Sequence, residues 1–92
     1  MTTPTDPAKA WKRKRNAAIK RIGVGTKWRH YKRAETVTVE NIAVRESDGE
    51  LLVVYFTDDG MVWCRPLADF ETVLWDKDKE ADVPRFSKLE QL

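Results

Sequence analysis

The chain has 92 residues, 41% hydrophobic and 35% charged, with a net charge of +2. That is one small domain with a modest core. A single cysteine, Cys64, excludes an intrachain disulfide scaffold and suits a reducing cytoplasm, and no apolar run approaches the ~20 residues of a membrane span. The N-terminus lacks the apolar segment of a signal peptide, so the expected setting is cytoplasmic. The small net charge hides a split: residues 1–33 sum to +10 and residues 34–92 to −8. Such asymmetry marks a footprint for an anionic partner or two self-complementary surfaces, hence a possible homo-oligomer.

Residues 1–6 are Thr- and Pro-rich and are expected to be disordered. Asp6-Pro7 is a helix start, a capping carboxylate followed by a first-turn proline. The spacing predicts a basic amphipathic helix over 7–22, with Ala8, Trp11, Ala18 and Ile22 on one stripe and Ile19 beside it. Lys12, Arg13, Lys14, Arg15, Lys20 and Arg21 form its cationic remainder. They read either as an arm for nucleic acid or another anionic surface, or as the solvated face of a docking helix held by Trp11. Gly23-Val24-Gly25 ends the helix.

Five short strands are predicted next: Thr26–Lys32, Thr36–Arg45, Leu51–Thr57, Met61–Arg65 and Thr72–Trp75. The alternation of the second slips at Glu40-Asn41, which predicts a bulge or a bend. Ser47-Asp48-Gly49 and Asp58-Asp59-Gly60 are hairpin turns. Pro66 stops the fourth strand and opens a single helical turn to Phe70. Residues 76–82 read as a charged loop, Val83–Phe86 as a further edge strand, and 88–92 as a tail. Short strands and tight turns predict a mostly β domain over 23–87, a small SH3-like barrel of about five antiparallel strands, with a simple meander as the alternative.

The densest chemistry is Lys27-Trp28-Arg29-His30-Tyr31-Lys32-Arg33, three rings interleaved with four cations, and Trp63-Cys64-Arg65-Pro66 repeats its character. Rings stack on a base or sugar while cations pair with phosphate. The two stretches are expected to wall one ligand site built from Trp28, Arg29, His30, Tyr31, Lys32, Trp63, Arg65 and Arg85, with Phe86 at its rim. Strand alternation puts Trp28, His30 and Lys32 on one face and Lys27, Arg29 and Tyr31 on the other. The competing account makes the rings core residues and pairs the cations with Asp59, Asp69 or Glu71. One histidine and one cysteine do not complete a metal site, and no phosphate-cradling glycine loop is present, so no metal and no cofactor is expected. A Cys64–His30 nucleophile pair is conceivable, but a mid-strand cysteine between large neighbours reads as a buried, inert thiol.

These residues also resemble a family. Gly25 with Trp28-Arg29-His30-Tyr31-Lys32, then Val53-Val54-Tyr55, then Trp63, Arg65, Pro66, Leu67 and Phe70, then Pro84-Arg85-Phe86 are similar, in order and spacing, to a small bacterial and phage domain family of unknown function. The likeness spans residues 24–87. In that family tyrosine is usual at the position of Trp28, glycine at that of Arg33 and an aliphatic residue at that of Cys64. The resemblance implies an SH3-like barrel and brings no catalytic activity. The expected function is a non-enzymatic module binding a nucleotide or nucleic acid. The alternatives are a protein-interaction module or charge-assembled oligomer, and an enzyme using Cys64 and His30.

Overall fold

β-Branched and large apolar residues flank the Ser47-Asp48-Gly49 turn, and they fold as the hairpin on which everything else packs. In the computed structural model, which describes residues 7–33 and 35–89, this hairpin is β2 (Thr36–Val44) and β3 (Leu51–Thr57). Gly49 turns the chain at φ +77° and donates its N–H to the Arg45 carbonyl at 2.7 Å. The Arg45 guanidinium clamps Asp48 and Glu50 across the turn. It is the Arg45 hydrogen bond, above all, that holds the Asp48 carboxyl down to about 2.

Alternation along β2 buries Val37 and Val39, then Ile42, a switch from odd to even positions. The register shift between Val39 and Asn41 makes the switch, as the slip in the sequence predicted. The extra residue keeps the apolar side chains of both halves on one face.

Strands β1 (Lys27–His30), β4 (Val62–Pro66) and β7 (Phe86–Lys88) extend the hairpin to a five-stranded antiparallel sheet, ordered β4-β3-β2-β1-β7. A second sheet pairs β5 (Val73–Asp76) with β6 (Ala81–Pro84). The described residues are thus mostly β, with seven strands where about five were expected. The single edge strand expected at Val83–Phe86 is divided at Arg85. The Arg85 N–H bonds the Thr72 carbonyl at 2.8 Å, and its carbonyl accepts the Tyr31 N–H at 2.9 Å, so this one residue joins the two sheets. Lys88 lies in β7 and the Leu89 N–H bonds the Lys27 carbonyl, so the expected tail starts later. The loose segment expected at 1–6, with its Asp6 cap, and residues 90–92 lie outside the described residues.

Helix α1 (Pro7–Ile22) buries Ala18 and Ile22 against the inner face of the larger sheet, while Ala8 of the expected stripe is exposed. A Cβ on Gly49 would overlap the Trp11 indole, so Trp11 caps the β2–β3 turn. The single turn α2 (Leu67–Phe70) drives Phe70 into the centre. Its ring stacks on Phe86 at 4.4 Å between centroids, and Trp28 packs against it at a steep angle, 5.1 Å between centroids. Phe70 is 1% exposed, so its truncation to alanine would cost about 3–5 kcal/mol. No helix among the described residues is long and apolar enough to cross a membrane.

Candidate functional site

Past the reach of Phe70 the inner face opens into a cavity of about 270 Å³. Its floor is buried side chains: Val37 of β2, Tyr55 and Thr57 of β3, and Phe86 of β7. The register sets them side by side, Val37 opposite Thr57 and Phe86 opposite His30. Trp63 and Arg65 of β4 supply one wall, placed opposite Tyr55 and Val53. His30, at the end of β1, and Arg33 and Glu35, after it, supply the other.

Trp63 is 47% exposed, yet its ring is pinned. Its Nε1–H donates to the Thr57 hydroxyl at 3.2 Å, and that hydroxyl donates to the Asp59 carboxylate. The Thr57 hydroxyl, then the Met61 N–H, hold the Asp59 carboxyl below its ordinary range. The indole is therefore held half-exposed in the wall of the cavity.

His30 Nδ1 accepts the Lys32 N–H at 3.2 Å and the Arg33 N–H at 3.4 Å, and the ring lies nearly perpendicular to Phe86, 5.1 Å between centroids. An Nδ1 that accepts leaves the proton on Nε2. Burial, then the charges of Arg33, Arg65 and Arg85, push the imidazole below 6.5, against the opposing pull of Glu35. The Arg65 guanidinium lies 5.3 Å from the Phe86 ring centre. Among the described residues the ion pairs join Arg21 to Glu71 and Arg45 to Asp48 and Glu50, and none engages Arg33, Arg65 or Arg85. Among the described residues the buried Arg85 Nε has no hydrogen-bond partner. Fixed rings beside unpaired guanidiniums can stack a planar group and fork onto an anion. Among the described residues no cluster of His, Cys, Asp and Glu is placed to hold a metal ion.

Residues 26–88 match a family described as a protein of unknown function, DUF1653. The chain belongs to the DUF1653 family. No curated protein and no solved structure matches it. The DUF1653 span takes in every residue that lines the cavity and leaves α1 outside.

Within the DUF1653 domain the expected site divides. His30, Trp63 and Arg65 meet at the cavity. Trp28 does not: it points to the same face, but its ring packs on Phe70 and its Nε1–H bonds the Thr26 hydroxyl at 2.9 Å. The two indoles therefore do not wall one site; Trp28 is a core ring with Lys88 above it. Arg29 lies exposed on the outer face, paired in register with Thr36. β1 ends at His30, so Tyr31 leaves the strand and packs beside the imidazole at 5.0 Å, with Lys32 over its ring. Arg85 acts on His30 through charge and is not part of the lining. Cys64 is exposed, contrary to the buried thiol expected, because β4 is an edge strand and Cys64 sits on its outer face opposite Val54.

Sequence reasoning did not place Glu35, Val37, Tyr55 or Thr57 at the site. The period-two pattern Val53, Tyr55, Thr57 carried the signal for the last two, since residues opposite Trp63 and its neighbours share its face.

The DUF1653 domain also engages part of the expected cationic arm. Arg15 donates to the Ile42 carbonyl at 2.6 Å and to the Asn41 side chain at 2.8 Å, which ties α1 to the bulge. Arg21 forks onto Glu71 at 2.7 and 2.8 Å. Both are docking contacts because the strand and turn beneath α1 present acceptors at those positions. Lys12, Arg13, Lys14 and Lys20 stay exposed.

Proposed function

We propose that this chain is a non-enzymatic binding module for a phosphate-bearing ligand, a nucleotide or nucleic acid. The observation that carries the reading is the pairing of Trp63, held open by Thr57, with Arg33 and Arg65, which have no acidic partner among the described residues, around one cavity. The indole stacks on a base, worth about 1–3 kcal/mol, and the guanidiniums take the phosphate. The neutral His30 offers its Nε2–H as a directional donor. An SH3-like barrel is our reading of the fold, supported by short strands, tight turns and the one-turn α2 ahead of β5. The single cysteine supports a cytoplasmic setting.

Thermal-shift and calorimetric titration with nucleotides and short oligonucleotides tests the reading. Binding is expected, with about tenfold or greater loss in Trp63→Ala and Arg65→Ala and none in Lys14→Ala. Steep salt dependence would favour a polymer, shallow dependence a small nucleotide.

A second reading, a protein-interaction module or homo-oligomer, is favoured by apolar exposure at the β4 edge. Phe56 and Val62 are paired in register on the outer face, and both are exposed. Light scattering of the chain at two concentrations checks it: a constant monomer mass counts against self-association.

A further inference from the structure

We infer that the cavity takes a single ribonucleotide unit, with Glu35 accepting hydrogen bonds from the ribose hydroxyls. The inference rests on the phosphate-binding reading above and adds to it the class of ligand.

Among the described residues Glu35 is the one carboxylate that lines the cavity. It lies two residues from Arg33 and shares the cavity with Arg65, yet among the described residues it forms no ion pair and no side-chain hydrogen bond. Arg65 is turned to the Phe86 ring instead. Acceptor and donors thus stand apart, and both are open. Inorganic phosphate would use the guanidiniums alone and be repelled by Glu35. A nucleotide carries an anion, a π-face and hydroxyl donors in one molecule, and a carboxylate is a good acceptor for the ribose hydroxyls. A deoxyribose lacks the 2′-hydroxyl and leaves Glu35 poorly satisfied. Tyr55 also lines the cavity, and its hydroxyl, with no hydrogen bond among the described residues, is a further donor for the phosphate.

The size and surroundings point to one unit rather than a strand. The cavity of about 270 Å³ lies just below the roughly 300–1,000 Å³ usual for small-molecule sites. The exposed cations Lys12, Arg13 and Lys14 sit beside Trp11, which covers Gly49 at the opposite end of β3 from Thr57. That separation is roughly 20 Å along the strand, so these cations do not continue the track of Arg33 and Arg65.

The experiment is calorimetry on the full chain with the 5′-monophosphates of adenosine, guanosine, cytidine and uridine, their 2′-deoxy counterparts, inorganic phosphate and a single-stranded oligonucleotide. Wild type, Glu35→Ala and Arg65→Ala are compared, with circular dichroism to show that each is folded. The expected result is that wild type binds a ribonucleotide about tenfold more tightly than its deoxy form. Glu35→Ala should bring the two forms together, and Arg65→Ala should weaken both alike. Equal affinity for both sugars in wild type, or discrimination that survives Glu35→Ala, overturns the inference and leaves the phosphate-binding reading standing. Binding of the oligonucleotide with none of a monophosphate overturns it equally. Binding of no nucleotide and no phosphate overturns both.

Discussion

Trp63 and Thr57 form the contact that makes an exposed indole rigid: Nε1–H to Oγ1 at 3.2 Å, with the same hydroxyl donating to Asp59. Thr57→Val keeps the shape and removes the relay. The stability lost with the Trp63 bond should be about 1 kcal/mol in urea melts. Ligand affinity should fall further than that stability change alone explains, because the freed ring must be ordered on binding. Trp63 fluorescence anisotropy checks the mechanism and should drop in the variant.

Gly49 and Gly60 separate backbone strain from steric overlap. Both hold positive φ, +77° and +85°, but only Gly49 has a neighbour where a Cβ would sit, the Trp11 indole. Gly60→Ala should cost about 1–2 kcal/mol, the left-handed penalty alone. Gly49→Ala should cost more than Gly60→Ala, and adding Trp11→Ala to it should recover part of the difference. Thermal melts of Gly60→Ala, Gly49→Ala, Trp11→Ala and the Gly49→Ala/Trp11→Ala double variant measure this.

Arg15 and Lys14 are neighbours on the basic helix with opposite roles. Arg15→Ala strips a donor from the Ile42 carbonyl and Asn41, and should destabilise by about 1–2 kcal/mol. Arg15→Lys should not restore it, because one ammonium does not reproduce the planar fork. Lys14→Ala, exposed, should leave the melting temperature unchanged.

His30 sets a pH dependence with a definite sign. Burial and neighbouring arginines lower its folded value below 6.5, so on acidification the unfolded chain takes up the proton first. Stability from this group is present above 6.5 and is lost as pH falls through the window below it. On the phosphate-binding proposal, a bound phosphate would raise the imidazole value, so affinity should rise as pH falls through the same window. His30→Gln should flatten both slopes, as read by denaturant melts and calorimetry from pH 7.5 down to about 5. Asp59, also depressed, adds a separate loss at lower pH.

The sequence carried the local features well. Thr36–Val39 and Leu51–Thr57 announce their strands by β-branching, the Glu40-Asn41 slip announces the bulge, and Pro7 with the Ala18–Ile22 stripe announces α1. What it did not carry depends on which elements come to lie together. Trp28 finds Phe70 only because α2, packed against β3 and β4, carries Phe70 into the core, and Arg15 and Arg21 find acceptors on distant segments. Cys64 is exposed because β4 ends the sheet, a property of strand order and not of the neighbours of Cys64 in sequence. The cationic heptad Lys27–Arg33 read as one site; the end of β1 at His30 splits it between core, cavity and outer face.

The most direct test of the central claim is a calorimetric titration of ribonucleotides into wild type, Trp63→Ala and Arg65→Ala, each first shown to be folded. The account expects saturable one-to-one binding to wild type that weakens about tenfold or more in each variant. Wild type that takes up no nucleotide, or variants that bind as tightly as wild type, would contradict it.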